Sequence, residues 1–430
     1  MGDELMRLLL IGYNDSALTS LDTVLPKGSV TVLEEPDVWA GRGLAAKASR
    51  HACLGSVEFE TYQQDNGYLR ALKLIGAIDA VAPGLEYAVE AAAGGAEALG
   101  LPGAGVAAAA TLRSKLRLRE AMATAGMNCP RFTQVHGPKD IEAFADGAAC
   151  VVKPAERQAS LGVVLLEPGD DAEAAWAECT VAAEGARLAN RPMRWNYLVE
   201  ERMIGPEVST EVLVADGEIR FLNVTAKETL PGRHPVEVGH SVPGDDHTRN
   251  RLATAVEQLV AAVGFQTGIL HAEWILQHGE PYLVECAGRP PGDHILDLIE
   301  IAYDTNITAA WISVLAGEQV ELPQAATSAA AVRFVMGTSG ELAHVDGLGV
   351  AQRCIGVHAV EQLLTPGDVI DGSGSSWDRV ACVIARGETP AAARHHALRA
   401  ASRIHVTTMT RDDSPGAAPT ANTAANGVGR

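Results

Sequence analysis

Near the N-terminus no apolar run is longer than Leu8-Leu9-Leu10-Ile11, far short of a signal-peptide core or a membrane span. Neither export nor anchoring is expected, and the chain reads as cytoplasmic. Basic residues are scarce: 34 Lys and Arg stand against 54 Asp and Glu, a formal charge of -20. Binding to nucleic acid or to an anionic bilayer relies on Lys and Arg neutralising phosphates, so the balance excludes both as partners. Any phosphate site must be local. The seven cysteines, at 53, 129, 150, 179, 286, 354 and 382, show no CxxC or His-rich spacing and read as reduced thiols. A Gly-rich dinucleotide fingerprint is missing too, because only Gly12 marks the turn after the first strand. There is no internal repeat.

What is present is a 430-residue chain with 47% hydrophobic content, enough for two or three domains around sizeable cores. Residues 7–12 and 29–33 read as buried strands separated by a helix, a parallel α/β beginning. A third strand at 78–82 leads into Pro83-Gly84-Leu85-Glu86 and an Ala-rich helix. Glu86 then sits just past a strand's carboxyl end, where parallel sheets bind ligands; a glutamate there also simply complements the helix dipole. After Leu101-Pro102-Gly103, one helix over 107–125 carries Arg113, Lys115, Arg117 and Arg119, a run that reads as a solvated face. Lys153 ends the apolar strand 149–153 and is followed by the small-residue loop Ser160-Leu161-Gly162-Val163, whose amides could approach phosphate oxygens. The Walker A spacing is absent.

Further on, 197–201 and 208–214 read as strands, with Glu207 just past a Gly-Pro turn. Residues 231–245 read as a Gly/Pro/His-rich loop containing Glu237 and His240, of a kind that often carries function. A helix is expected over 246–263 and another over 295–317. A small α/β segment follows, with strands at 331–335 and 380–385 and a helix over 390–404. The tail from Arg411 is too polar and Ala-rich to pack, and is expected to be disordered.

Between these lies GILHAEWILQHGEPYLVECAGRPPGDH, residues 268–294, in which two apolar runs flank His278-Gly279-Glu280. This pattern predicts a β-hairpin. With the turn centred on Gly279, Glu273 and Glu285 fall opposite each other on one face. Two carboxylates about 5 Å apart among apolar residues repel each other unless a cation lies between them, and oxygen-only ligands suit Mg²⁺. A solvated face with two unrelated glutamates is the alternative.

Five segments in order, ATLRSKLRLREAMATAGMNCPRF, VVKPAERQASLGV, YLVEERMIGPEVSTEVLVADG, EVGHSVPG and HAEWILQHGEPYLVECAGRPPGD, give the chain a resemblance to the ATP-grasp carboxylate-amine ligases, most closely the L-amino-acid ligase branch. It covers about residues 5–408. The resemblance implies a mixed α/β and α+β fold: a biotin-carboxylase-like parallel α/β domain over 1–110, a small ATP-grasp subdomain over 111–195, a large subdomain with the Mg-ATP site over 196–320, an α/β segment over 321–410 and the tail 411–430. It implies Lys115 and Lys153 on the ATP phosphates, Lys153 and Arg289 in catalysis, and Ser160 and Gly162 in a mobile loop over the phosphates. Glu200, Glu201 and Met203 fall at the adenine hinge, and Glu207 at the ribose. Glu273 and Glu285 match the Mg²⁺ ligands, with Mn²⁺ as a substitute, and Glu86, His240 and Arg289 match the substrate contacts. Many members have asparagine two residues after the second metal glutamate; here that residue is Ala287, so either water fills the position or metal affinity falls.

The implied reaction is ATP-dependent amide formation between small amino-acid-type substrates, a carboxylate and an amine, through an acyl phosphate with release of ADP and phosphate, in dipeptide or natural-product synthesis. A homodimer is compatible with this reading. Two rivals stand beside it, a bicarbonate or formate ligase of the same fold and a non-catalytic nucleotide-binding regulator.

Overall fold

Leu8–Ile11 is buried on both faces because it lies inside a four-stranded parallel sheet, ordered Leu54–Phe59, Val30–Glu34, Leu8–Ile11, Ala80–Pro83. A continuous apolar strand suits that position, since helices cover both faces of a parallel sheet. The structure, a computed structural model, describes residues 6–230, 236–370, 372 and 376–409. The expected disorder of the tail from Arg411 lies outside the described residues, as does the stretch 231–235 of the expected loop.

Two further sheets face each other across the cavity described below. The smaller is antiparallel, ordered Phe132–Val135, Tyr197–Glu201, Cys150–Pro154, Val164–Leu166. The larger has eight strands, in the order Glu280–Ala287, Gly268–Gln277, Glu207–Ala215, Glu218–Leu230, Val236–Val242, Ala329–Met336, Arg379–Gly387, Val357–Gln362. A three-stranded sheet of Gly340–Asp346, Val369–Ile370 and His405–Met409 completes the C-terminal part.

Several local expectations are corrected. The helix expected over 107–125 is two, Val106–Leu112 and Lys115–Thr124, because the Ser114 hydroxyl caps the second by accepting from the Arg117 amide. This break turns Arg113 and Arg119 inward. Both are buried and only Arg117 faces outward, so the run is not a solvated face. The helix expected over 295–317 likewise divides into Ile295–Tyr303 and Ile307–Leu315, with Asn306 capping the second. Within the loop expected over 231–245, residues 236–242 form the strand Val236–Val242, paired on both sides. The alternation Val236-Glu237-Val238 was its signal, overridden by the Gly and Pro around it. The strands expected at 331–335 and 380–385 are present as Ala329–Met336 and Arg379–Gly387, and they extend the eight-stranded sheet past residue 320.

The candidate active site

The hairpin turn is one half-step from where the sequence places it. Gln277 and Glu280 are the last pair, so the turn is the two-residue His278-Gly279, both with positive φ (53° and 82°), as a tight hairpin requires. Continued regularly, that register would set Val284 opposite Glu273. A β-bulge inserts Val284 as an extra residue, and Glu273 pairs with Glu285 after all. The bulge has a second consequence: the Val284 carbonyl accepts from Arg119 Nη2 at 2.8 Å.

Each glutamate of this pair meets a lysine. Lys227 Nζ lies 2.7 Å from Glu273 and 2.6 Å from Glu237, and Lys115 Nζ lies 2.7 Å from Glu285 while donating to the Arg157 carbonyl at 2.8 Å. His271 joins them, with Nε2 3.4 Å from Glu273 and Nδ1 3.0 Å from the buried Glu211. Burial would lower the His271 imidazole, but its bonds to Glu211 and Glu273 bring it up to about 9, so it is cationic at neutral pH. For Glu273 burial acts upward, and Lys227 and His271 outweigh it and hold the carboxyl well below its ordinary range. His271 is also the cross-strand partner of Ala287.

Lys115, Lys227, Glu237, His271, Glu273 and Glu285 line one cavity of about 2150 Å³ between the sheets. On the opposite wall Lys153 contacts Glu200, whose other oxygen accepts from Arg119 Nε at 3.0 Å. Burial would raise the Glu200 carboxyl; Arg119 and Lys153 outweigh it and keep it ionised. Glu201 is the partly exposed neighbour, 3.8 Å from Arg131, and with Met203 and Glu207 it also lines the cavity. Burial raises the Glu207 carboxyl, an effect that Lys227 opposes. The loop Ser160–Gly162 borders the same space, with Ala159, Ser160 and Gly162 all at positive φ. A Cβ on Gly162 would lie 2.7 Å from the Cys179 carbonyl oxygen, so this loop is seated on the end of helix Ala172–Val181 only because residue 162 has no side chain.

Arg289 stands at the cavity wall, but Glu86 does not. One Glu86 oxygen accepts from Arg289 Nε at 2.7 Å and the other from the buried Arg113 at 2.6 Å. Burial would raise this carboxyl; Arg113 and Arg289 outweigh it and bring it down to about 2. Both oxygens are therefore engaged. His240 is likewise fully buried behind the wall, bonded to Asp293 at 3.3 Å, and the residues in front of it are Glu237, Asp293 and Arg379. Arg379 is 2.7 Å from Asp293 and donates to the Glu237 carbonyl at 2.8 Å.

Sequence reasoning passed over Lys227, Asp293, Arg379 and Arg113. Lys227 had a faint signal, one cation in the alternating strand Glu218–Leu230. Asp293 and Arg379 lie 86 residues apart, and nothing local connects them. Arg113 was noticed, but inside a run assigned to solvent.

The family described as ATP-grasp domain matches residues 147–297, and the one described as L-amino acid ligase C-terminal domain 2 matches residues 333–409. Alanine--anticapsin ligase of Bacillus subtilis is 24% identical over 322 residues, covering 70% of this chain and 67% of that protein. Two further proteins of that name are covered over 57% and 56% of their length, so the chain spans little more than half to two thirds of these curated relatives. Among solved structures, the L-amino acid ligase from Bacillus licheniformis superposes with a TM-score of 0.77 at 18% identity, covering 94% of this chain and 99% of that one. Phosphoribosylglycinamide synthetase from Anaerococcus prevotii gives 0.70 at 17%, covering 94% and 100%. At such identities the likeness is one of fold, and the mixed α/β fold with a parallel N-terminal sheet expected from the sequence is the fold observed. Among the described residues no helix is long and apolar enough to cross a membrane.

Proposed function

Given a chain that carries an ATP-grasp domain followed by an L-amino-acid-ligase C-terminal domain, and that is a ligase of the carbon–nitrogen bond-forming class, we propose that it joins the carboxylate of one small amino-acid-type substrate to the amine of another at the expense of ATP. The observation that carries this reading is the paired Glu273 and Glu285, flanked by Lys115 and Lys227, with an arginine oriented by Glu86 on the same cavity.

The residues present fit ATP and Mg²⁺. Oxygen donors on facing strands suit a hard divalent ion, and the cavity is bordered by Arg157, whose buried Nε has no acceptor among the described residues, as expected of a donor awaiting an anion. When bound, Mg²⁺ supplies charge neutralisation at the phosphates. In the reading proposed here, Glu273 and Glu285 hold it. Lys115 exchanges Glu285 for phosphate, which frees that carboxylate, and Lys153, beside Glu200, faces the same phosphates. Glu200 to Met203 borders the adenine and Glu207 the ribose. The carboxylate substrate takes the γ-phosphate, leaving ADP and an acyl phosphate. The amine then attacks that carbonyl, phosphate departs, and the ammonium proton passes to solvent or phosphate. No enzyme nucleophile is required; positioning and exclusion of water carry the reaction. Arg289, fixed by Glu86, donates to the oxyanion of the attack. Glu237, Asp293 and Arg379, backed by His240, offer mixed charge of the kind a zwitterionic amino acid needs.

A screen of amino-acid pairs for phosphate release tests the reading. ADP, never AMP, should appear, and only with a productive pair; release of AMP and pyrophosphate would overturn it. Arg289→Ala should bind ATP with near-normal affinity while amide synthesis falls about 10²- to 10³-fold, the usual loss on removing one preorganised oxyanion donor. Hydroxylamine trapping should still yield hydroxamate from this variant. Gly162→Ala should raise the KM for ATP several-fold, because a left-handed residue pressed on the Cys179 carbonyl must shift the loop, at a cost of about 1–3 kcal/mol. An unchanged KM would remove the loop from the nucleotide site.

A further inference from the structure

On the far side of Asp293 the chain carries a second group of potential ligands that the proposed reaction does not use. His294 Nε2 lies 3.6 Å from Cys382 Sγ and 3.6 Å from Glu361 Oε2, and all three ligand atoms fall within 4.8 Å of one another. Their placement comes from rigid elements. Cys382 and Glu361 are direct cross-strand partners in the eight-stranded sheet, so their side chains leave on the same face. His294 immediately precedes the helix Ile295–Tyr303 and follows Asp293, and these two non-glycine residues both have positive φ, 62° and 58°. That paired left-handed turn sends consecutive side chains apart, Asp293 to Arg379 and His294 to Cys382.

We propose that His294, Cys382 and Glu361 form a zinc site, distinct from the Glu273 and Glu285 pair. Three observations support it. A tetrahedral zinc with nitrogen at about 2.05 Å and sulfur at about 2.3 Å sets those two atoms about 3.6 Å apart, the separation seen here, and nitrogen to oxygen about 3.4 Å. His294 Nδ1 is 2.7 Å from the Asp297 carboxylate, and a proton on Nδ1 donated to Asp297 leaves the Nε2 lone pair directed at the other two ligands. Finally, charge is unbalanced. Among the described residues Glu361 and Asp297 form ion pairs with His294 and with no lysine or arginine, whereas the similar group Glu237, His240 and Asp293 is already compensated by Lys227 and Arg379. A thiol beside a histidine selects zinc over magnesium or calcium. Since His294, Asp297 and Glu361 also line the main cavity, the fourth position is left to water or to a ligand atom from that cavity. The competing arrangement is an imidazolium shared among three acceptors, with no metal.

The full chain, stripped with a chelator and kept free of ATP and Mg²⁺, should bind one equivalent of Zn²⁺. Cobalt in its place should show a thiolate charge-transfer band. Cys382→Ser should abolish that band, and His294→Ala should weaken zinc binding at least about 100-fold. Asp297→Asn should weaken it about 10- to 100-fold, as outer partners of zinc-bound histidines do. Because Cys382 is buried and its serine variant could fail to fold, Glu361→Gln at a half-exposed position provides the independent check, with affinity down at least tenfold. Saturating Mg²⁺ should not displace the zinc. A wild type that binds no zinc, lacks the thiolate band, or loses its metal to Mg²⁺ would overturn the site.

Discussion

Glu285→Gln is expected to leave the circular dichroism spectrum and Tm close to wild type while ADP formation falls about 10³-fold or more. Glu285 is partly exposed to the cavity, and its ion pair is with a lysine that has another acceptor in the Arg157 carbonyl, so losing the charge strands no buried partner. The catalytic loss is large because a bound divalent ion supplies several kcal/mol of stabilisation to the charge that develops on the phosphates. Glu273→Gln should be equally inactive but also less stable. Its charge is shared by the buried Lys227 and by His271, both of which would lose part of their compensation. Isothermal titration with Mg²⁺ and a non-hydrolysable ATP analogue, alongside melting curves, separates the two; near wild-type turnover in either variant would end the metal assignment.

Glu86→Ala should be among the most destabilising single substitutions behind the cavity wall. It leaves Arg113, buried within the protein, and Arg289 facing each other without their shared carboxylate, and breaking a buried pair from one side costs about 3–5 kcal/mol. The isosteric Glu86→Gln isolates the charge and predicts a pH dependence. The folded carboxyl sits at about 2 against an ordinary 4.5, so its contribution, about 3 kcal/mol, is complete above pH 4.5 and disappears as pH falls toward 2. The stability gap between wild type and Glu86→Gln should thus be constant from pH 5 to 8 and close progressively in acid. A gap that does not change between pH 5 and 2.5 would show that packing, not charge, is what Glu86 contributes. Activity should fall as well, through a misplaced Arg289. In a merely structural role, activity at a temperature where the variant is fully folded would be unaffected.

Much of the cavity's composition was legible because its signals are local. An apolar strand ending in lysine, a small-residue loop and a short polar turn between apolar runs each depend on near neighbours in the chain, and strand periodicity alone places Glu273 and Glu285 on one side of a hairpin. Even there the sequence reached the right pair by a route the structure does not follow. The turn is tighter than expected and the Val284 bulge restores the register, a compensation that side-chain alternation does not encode.

What only the tertiary structure decided is which charges face the cavity and which stand behind it. Burial depends on what packs against a residue from far along the chain. Glu86 and His240 therefore look, in sequence, like any polar residue on a functional segment, yet one is enclosed by Arg113 and Arg289 and the other by Asp293 and the sheet. The same holds in reverse for Lys227, Asp293 and Arg379, which line the cavity; Arg379 reaches it because the C-terminal strands extend the central sheet, and there it meets Asp293. That sheet extension also sets Cys382 beside Glu361 and under His294, three residues that no spacing rule would group. Local patterning thus determined the elements and their chemistry; long-range pairing, which alone sets desolvation and charge partners, determined which residues can act on a ligand.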